Sequence, residues 1–426
     1  MCVCMRRIQD PAAEIIVLQI LEVLPHEASS SKLCVRPGRQ REFIQELKHE
    51  AMNALRFLET SIQKYAQQQQ QQQLKERAEQ ALIMAFRAVS SWVRIASHIS
   101  PDVLVDHGTI QAAVHCLEHP NDEIREVAID VLSDLIRITE LVDIHKNPSE
   151  RPISFKVLAR LFGAVTSLFP RLKAIAAETR QARSLGAGEE DAVGDVDDGA
   201  KAIARLLADF GEAFLEIFAN ASDEGLKVAE IMLEVASFPH YQIGAIGFSF
   251  WNRLSTVLSQ SNKEGNGDAK KEDDDSNDID GERPRRRGSE EPIPESEMER
   301  RRAAFRPAFE RLVDAIANRL AFPAVYSNWP KEAKQDFKRN RNAVADTISD
   351  SAYVLGMEAT AVRLAVPLKG TASSIQARAA PEWRSTEAAL YCFRAIGFLF
   401  NNSSSSILPQ VGSCAKGKGV ERKKKG

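Results

Sequence analysis

Apolar residues recur at intervals of three and four positions along most of the chain. The clearest stripes run from Leu82 to Val93, Ile124 to Ile138, Ile203 to Ile217, Ile243 to Leu258, Phe305 to Leu320, Phe337 to Leu355 and Leu390 to Phe400. This spacing places apolar side chains on one face of a helix, and we find no strict alternation typical of a half-buried strand. The pattern therefore predicts an all-α protein. We expect the four tryptophans, Trp92, Trp251, Trp329 and Trp383, to anchor its core rather than line a cofactor site.

Proline together with Asn, Asp or Ser marks most breaks between the stripes. These groups are Ser100-Pro101-Asp102, Pro120-Asn121-Asp122, Asn147-Pro148-Ser149, Phe238-Pro239-His240 and Trp329-Pro330. Proline suits the first turn of a helix, and Asn, Asp and Ser suit its cap. Helices separated by short turns give pairs of roughly 40 residues, the period of HEAT repeats. Because one pair cannot bury its own apolar face, we predict an α-solenoid, a superhelical array of HEAT-type antiparallel helix pairs. A single globular bundle is the alternative.

Several segments lack the helical pattern and set the predicted domain boundaries. We expect an atypical N-terminus at residues 1–17, HEAT repeats at 18–260 and 300–402, and a disordered charged insertion at 261–299. The insertion has almost no apolar residues, so burial cannot offset the entropy cost of ordering it. Residues 403–426 are expected to form a disordered basic tail. A Gln run at 67–73 and an acidic loop at 186–199 interrupt the first set of repeats.

Composition narrows the functional classes. The 426 residues include 56 Lys and Arg and 59 Asp and Glu, a net charge of −3. This balance argues against a protein held on nucleic acid by its overall charge. No stretch of about 18 uncharged apolar residues is present, so we expect no membrane partner. The six cysteines are irregularly spaced, as in proteins of the cytosol or nucleus that keep reduced thiols.

Catalytic and metal-binding motifs are not evident. We find no Gly-rich phosphate loop, no nucleophile elbow and no paired-Cys zinc spacing, so we expect neither an enzyme nor a cofactor. His115 and His119 stand four residues apart, with Cys116 and Glu118 between them. A metal site would need further ligands, and the glutamate is not placed as in His-Glu-x-x-His. We therefore expect no metal site and interpret this segment as a polar helix edge before the turn at Pro120.

Two basic segments are candidate sites. In the helix predicted after Pro330, the candidate partner-contact residues are Lys334, Lys338, Arg339 and Arg341; an ion-paired helix surface is the alternative. A basic block at residues 283–287 precedes Ser289, which is a candidate phosphorylation site because the added negative charge would pair with the arginines. The alternative for this block is a solvated linker.

Several local strings resemble the transportin-3 and importin-13 branch of the importin-β (karyopherin) nuclear transport receptors. They are Leu21-Glu-Val-Leu-Pro25, Phe86 to Trp92, His240 to Leu254, Asp336 to Arg341, Asp346 to Gly356, and Trp383 to Ile396. The strings occur in the family's order and extend from about residue 18 to 400. The transportin-3 side matches best, above all at Phe248-Ser-Phe-Trp-Asn-Arg-Leu254 and Glu387-Ala-Ala-Leu390.

The resemblance implies a HEAT-repeat receptor that shuttles between cytoplasm and nucleus. It implies binding to the GTPase Ran, to nucleoporins and to cargo with Arg/Ser-rich segments, such as splicing or RNA-binding proteins, with cargo release by Ran-GTP. It also implies that the chain is a middle portion of such a receptor, with the main Ran contacts expected before Leu18 and the family's Arg-rich cargo helix after Ile396. We therefore assign no Arg-rich cargo site to these residues. A HEAT scaffold that assembles another complex is the alternative function.

Overall fold

The computed structural model describes residues 11–30, 36–69, 74–144, 151–184, 197–259, 293–323, 326–366, 368 and 383–400. Helices dominate these residues, and no strand occurs among them. The α-helices are α1 (Pro11–Ser29), α2 (Pro37–Gln68), α3 (Lys75–Ile95), α4 (Pro101–Leu104), α5 (Gly108–Cys116), α6 (Asp122–Ile144), α7 (Arg151–Thr166), α8 (Phe169–Ser184), α9 (Asp198–Ala213), α10 (Leu215–Phe218), α11 (Asp223–Ala236), α12 (Tyr241–Ile246), α13 (Phe248–Ser259), α14 (Glu295–Ala317), α15 (Lys331–Leu355), α16 (Met357–Leu364) and α17 (Trp383–Phe400). Two 3₁₀ turns lie at Asn318–Leu320 and Tyr326–Asn328.

Of the predicted turn groups, Asn147-Pro148-Ser149 lies outside the described residues, and the others begin helices for the expected chemical reasons. Pro101 is the first residue of α4, where its missing N–H costs nothing. The Asn121 side chain accepts a hydrogen bond from the Glu123 N–H (2.9 Å) at the start of α6. Asp197, which the sequence placed in a loop, caps α9 by accepting from the Ala200 N–H (2.9 Å). Each acceptor satisfies one of the N–H groups that a helix start leaves without an intrahelical partner.

The chain divides into two compact units. The first unit falls within Met1–Leu215, Glu234–Phe250 and Ala324–Lys334, and the second within Glu216–Leu233, Trp251–Pro323 and Gln335–Gly426. In the first unit α1, α3, α6 and α9 form a series in which each helix packs on the next, and α2 packs against α1 and α3. This is the neighbour-to-neighbour packing of stacked helix pairs.

One buried hydrogen bond joins α1 to α3 and explains a proline inside a helix. Pro25 lies within α1 and has no N–H to give to the carbonyl four residues earlier, that of Leu21. The indole N–H of Trp92 donates to that carbonyl at 2.9 Å, and Trp92 is fully buried. The two strings that contain these residues, both quoted for the family resemblance, therefore meet in space.

The second unit has its own aromatic core. Trp251 of α13 is fully buried, its ring meets that of Phe309 of α14 edge-on at 5.1 Å between centroids, and its indole N–H donates to the Met232 carbonyl of α11 (3.4 Å). Later in the unit, α15 and α17 run side by side. The contacts Arg341–Glu387 and Ser349–Ala395 rise together in residue number, so these helices are parallel.

The structure corrects several predicted boundaries and one core residue. Helix α1 begins at Pro11 rather than near residue 18, because Glu14 is buried and accepts a hydrogen bond from Ser61 (3.0 Å). Helix α14 begins at Glu295, inside the predicted insertion, because Met298 is buried. Helix α9 likewise takes up the last two residues of the predicted acidic loop. Trp383 is 56% exposed, so the prediction that it anchors the core is wrong.

Other predicted segments lie largely outside the described residues. These include Ser289 with its basic block, the tail at 403–426, most of the 261–299 insertion, most of the 186–199 loop, and residues 70–73 of the Gln run. The first two glutamines of that run end helix α2.

One stretch of the described chain, residues 153–182, is long and apolar enough to cross a membrane by length and composition alone. In the structure it is divided between α7 and α8, with a turn at residues 167–168. Basic side chains along it form ion pairs, such as Arg160 with Asp106 (3.0 Å) and Arg180 with Glu234 (2.9 Å). The apolar positions between them, including Leu161 and Leu172, are buried. This arrangement matches a helix pair packed on its neighbours.

A candidate interaction surface

Three long helices of the first unit, α3, α6 and α9, lie in register. Arg87 of α3 pairs with Glu123 of α6 (3.0 Å), and Arg94 pairs with Asp134 (2.8 Å). Because the partner numbers rise together, α3 and α6 are parallel. Two further pairs, Glu126 with Asp198 and Ser133 with Asp209, show that α9 runs in the same direction along the other side of α6. The three helices therefore present a continuous surface.

Acidic side chains dominate the exposed part of α6 and α9 on this surface. They are Glu123, Glu126, Asp130 and Glu140 of α6 and Asp198, Asp209 and Glu212 of α9, and we call this set the acidic face. All seven are exposed or half-buried. Between residues 126 and 140 the face follows α6 for about 21 Å, given the rise of 1.5 Å per residue.

Like charges meet at three points along the face. Burial raises the pKa of Glu126, and the neighbouring Asp198 raises it further. Burial and the adjacent Asp134 raise the pKa of Asp130 in the same way. Burial raises the pKa of Asp209, with Glu140 adding to the effect. At each pair, burial and the neighbouring carboxylate disfavour the ionised form of one carboxyl group. A cation bound beside the pair would stabilise that ionised form.

Arginines border the carboxylates of the acidic face. Arg87 and Arg94 lie along α3, Arg137 lies on α6, and Arg205 lies on α9; each lowers the pKa of at least one face carboxylate. Below the surface, Asp134 is 2% exposed and accepts hydrogen bonds from Arg94 and from the Ser90 hydroxyl. These bonds join α3 to α6 beneath the acidic face.

The residues predicted to contact a partner lie elsewhere, on α15. Lys334 donates to the Ser327 carbonyl (2.7 Å), and its ammonium lies over the Tyr326 ring (5.9 Å to the centroid). Lys338 is exposed, and Arg339 is exposed while pairing with Asp336 (3.0 Å). A partner contact through Lys334, Lys338 and Arg339 stays a prediction.

Arg341 is not available to a partner, so its assignment to the contact surface is wrong. Only 5% of the residue is exposed. Its guanidinium donates two hydrogen bonds to the Glu387 carboxylate (2.7 and 2.8 Å) and lies between the rings of Phe322 and Tyr391, 4.2 and 4.3 Å from their centroids. The carboxylate and the two ring faces surround the charge that the sequence assigned to the surface.

The segment considered for metal binding has another arrangement. His119 accepts a hydrogen bond from the Asn121 N–H at Nδ1 (3.0 Å), and its Nε2 lies 3.3 Å from the Gln69 side-chain oxygen. Burial raises the pKa of the Cys116 thiol to about 11, so the thiolate is disfavoured. Within the described part of the chain, no group of three or more His, Cys, Asp and Glu side chains could hold a metal ion.

The second unit contains a separate, open cavity of about 360 Å³. Apolar residues of α14, α16 and α17 form most of its wall, including Val313, Leu364 and Ala389. Arg363 stands at its edge and pairs with Asp314 (2.6 Å) and Glu310 (2.6 Å). The cavity is large enough for an apolar side chain.

Two family models and a curated relative match this chain. Residues 195–271 match the model of the transportin-3/importin-13 second TPR domain, and residues 5–132 match the exportin 1-like protein model. Transportin MOS14 of Arabidopsis thaliana is 30% identical over 394 residues, which are 92% of this chain and 35% of that protein. The chain is related to the transportin-3/importin-13 branch of the karyopherins.

A solved karyopherin of this branch has the same fold. The structure of importin-13 in its cytosolic state superposes on 95% of this chain and 42% of its own length, with a TM-score of 0.65 and 13% identity. This confirms the predicted α-solenoid of HEAT-type helix pairs. The chain therefore spans about a third of the length of Transportin MOS14 and less than half of the importin-13 chain. Both relatives carry the names of transport receptors rather than enzymes.

Sequence reasoning missed the acidic face. Glu123, Glu126 and Asp130 recur at helical spacing, so a wheel of α6 would have placed them together. Asp198 and Asp209 are separated from α6 by two further helices in the sequence. No sequence signal shows that they stand beside Glu126 and Glu140, because that requires the packing of α6 on α9.

Proposed function

We propose that the chain acts as a nuclear import receptor of the karyopherin type. In this proposal it binds a cargo protein in the cytoplasm, carries it past nucleoporins, releases it in the nucleus and returns. Its chemistry is binding alone, without bond formation. The relationship to the transportin-3 and importin-13 branch supports this function, as does a fold that offers long, continuous helix surfaces to a partner.

The acidic face is the proposed cargo contact, and its three like-charge pairs carry the argument. Glu126 with Asp198, Asp130 with Asp134, and Asp209 with Glu140 are negative sites that an incoming cation would stabilise. Arginine suits them best, because its planar guanidinium can bind a carboxylate through two hydrogen bonds. An extended peptide of about six residues spans roughly the 21 Å over which the pairs are spread. The cargo class is therefore an Arg/Ser-rich segment, as in splicing or RNA-binding proteins.

Cargo release follows from linkage between two binding events. If Ran-GTP favours an arrangement of the helices that binds cargo less tightly, cargo must weaken Ran-GTP binding by the same factor. The scaffold alternative has no such coupling, so measuring it separates the two functions.

Neutralising the three carboxyl groups whose pKa is raised should weaken the binding of a basic peptide. We expect the variant Glu126→Gln, Asp130→Asn, Asp209→Asn to bind a fluorescent, unphosphorylated Arg/Ser peptide about 30-fold more weakly than wild type. This estimate takes about 0.7 kcal/mol for each of the three lost charge pairs, or about 2 kcal/mol in total. Fluorescence anisotropy measures the effect, and the affinity of the variant should depend less steeply on salt. Phosphorylating the serines should weaken binding to wild type, because phosphate adds negative charge.

A matched control separates this surface from overall charge. The variant Glu42→Gln, Glu46→Gln, Glu178→Gln removes the same charge from exposed positions of α2 and α8. Its affinity should stay within about two-fold of wild type. If both triple variants lose affinity equally, or if neither does, the acidic face is not the cargo contact.

The Ran part of the proposal has its own test. Adding Ran loaded with a non-hydrolysable GTP analogue should raise the dissociation constant of the peptide, whereas Ran-GDP should leave it unchanged. The resemblance implies that the main Ran contacts precede Leu18, so the test is made with a longer chain that adds those repeats. A dissociation constant that Ran-GTP leaves unchanged in that longer chain favours the scaffold function.

A further inference from the structure

Two histidines hold the segment that contains the short helix α5, His107 at the start of the helix and His119 in the turn between α5 and α6. His107 precedes the helix, and its Nδ1 accepts a hydrogen bond from the Thr109 N–H (3.3 Å). His119 follows the helix, and its Nδ1 accepts from the Asn121 N–H (3.0 Å). An imidazole nitrogen accepts a hydrogen bond only when it carries no proton. Both ends of the 107–121 segment therefore depend on neutral histidine.

The other nitrogen of each ring faces the neighbouring helix α2. The His107 Nε2 lies 3.7 Å from the Glu59 carboxylate, and the His119 Nε2 lies 3.3 Å from the Gln69 side-chain oxygen. With Nδ1 as the acceptor, Nε2 carries the hydrogen and points toward these oxygens. The Glu59 side chain also packs closely on the next residue, because a Cβ added to Gly108 would collide with it. The two rings thus lie between this segment and α2, while His107 caps the start of α5 and His119 holds the turn before α6.

Some groups around each histidine ring raise its pKa and others lower it. At His107, burial is the largest influence and lowers the pKa, Glu59 of α2 raises it, and Arg56 of α2 lowers it. At His119, burial again leads and lowers the pKa; Glu79 of α3 raises it, while Arg125 of α6 and Lys75 of α3 lower it. For both histidines the balance lies on the side of the neutral form.

We propose that residues 107–121 form an acid-sensitive segment of the first unit, held closed by neutral His107 and His119. On protonation each Nδ1 becomes a donor and can no longer accept from the backbone N–H, so both of these hydrogen bonds are lost. At His107 the hydroxyl oxygen of Thr109, 3.0 Å from Nδ1, can then accept from the ring, but the Thr109 N–H still loses its acceptor. Helix α5 has only nine residues, and it buries Ile110 and Ala113 against its neighbours. A helix this short has little stability of its own and relies on its ends and its packing. Acidification therefore opens this segment before the longer helices around it.

The direction of the pH effect follows from the lowered pKa values. The unfolded chain binds a proton near the ordinary histidine pKa of about 6.5, and the folded chain binds it at lower pH. The contribution of the two histidines is complete above about pH 6.5 and is lost as the pH falls below that value. The effect has the opposite sign to that of a histidine stabilised by a carboxylate.

Hydrogen exchange of the full chain tests this proposal. After correction for chemical exchange rates, the amides of peptides covering residues 107–121 should lose protection about five-fold between pH 7.5 and pH 5.5, which is the size of effect a single cap gives. Peptides from α9 should change much less. The variant His107→Asn, His119→Asn keeps a side-chain acceptor at both ends but does not titrate. It should be protected at pH 7.5 and should keep that protection at pH 5.5.

His115 provides a control within the same segment, because it is exposed and lies between His107 and His119. His115→Asn has nearly the same helix propensity and should retain the wild-type acid response. The proposal is overturned if wild-type protection of the segment is equal at both pH values. It is also overturned if the double variant responds to acid as wild type does.

Discussion

Replacing Trp92 by phenylalanine should lower the free energy of unfolding by about 2–3 kcal/mol in urea denaturation. The indole N–H of Trp92 is the donor to the Leu21 carbonyl, which Pro25 leaves without its usual helical partner. The smaller phenylalanine ring also leaves space in a fully buried site. An unsatisfied buried carbonyl costs about 1–3 kcal/mol, and the lost volume adds to it.

Restoring a backbone donor at position 25 tests this explanation. In a Pro25→Ala background the alanine N–H can reach the Leu21 carbonyl, so Trp92→Phe should cost about 1–2 kcal/mol less than it does in wild type. A double-mutant cycle gives this coupling directly. An equal cost in both backgrounds would mean that the tryptophan acts by packing alone.

Replacing Arg341 by leucine should lower the free energy of unfolding by about 3 kcal/mol. The change removes the two hydrogen bonds to Glu387 and the guanidinium between the Phe322 and Tyr391 rings. Breaking a buried ion pair typically costs several kcal/mol, and the cost here lies at the low end because the Glu387 side chain is 35% exposed and stays partly solvated. Urea denaturation followed by circular dichroism measures the loss.

Arg339, two positions earlier on the same helix, is the matched control for this substitution. Its side chain is 70% exposed and pairs with the nearby Asp336, so Arg339→Leu should change stability by less than about 0.5 kcal/mol. Adding Glu387→Leu to Arg341→Leu should recover part of the lost stability, because an apolar pair then replaces a single uncompensated charge. If Arg341→Leu costs as little as the control, the buried pair does not stabilise the fold.

Arg341 also shows where sequence reasoning reached its limit. Its spacing placed it on the apolar stripe from Phe337 to Leu355, while its charge placed it on a partner surface. In the structure Arg341 is buried, as its position on the apolar stripe indicates. Deciding between the two required knowing that Glu387 and two aromatic rings surround the position, and Glu387 is 46 residues away in the sequence.

The helices themselves were largely predictable. Residues of the predicted stripes, such as Leu82, Phe86 and Val89, are fully or nearly fully buried. Turn groups such as Pro120-Asn121-Asp122 begin helices as expected. The errors occurred at the ends of segments: α1 and α14 begin earlier than predicted, because burial of Glu14 and Met298 extends the core beyond the obvious apolar pattern.

By itself the sequence determined the helical class, most helix starts and the relationship to the karyopherin branch. All three can be predicted from spacings of a few residues or from contiguous strings. Helical hydrogen bonds and caps join residues over the same short range. Only the tertiary structure decided which charges are buried and which carboxylates meet. The acidic face requires α6 to pack on α9, and the Leu21 carbonyl requires a donor 71 residues away. Such contacts arise when helices bury their apolar faces against each other, and that packing brings together polar groups that no local pattern connects.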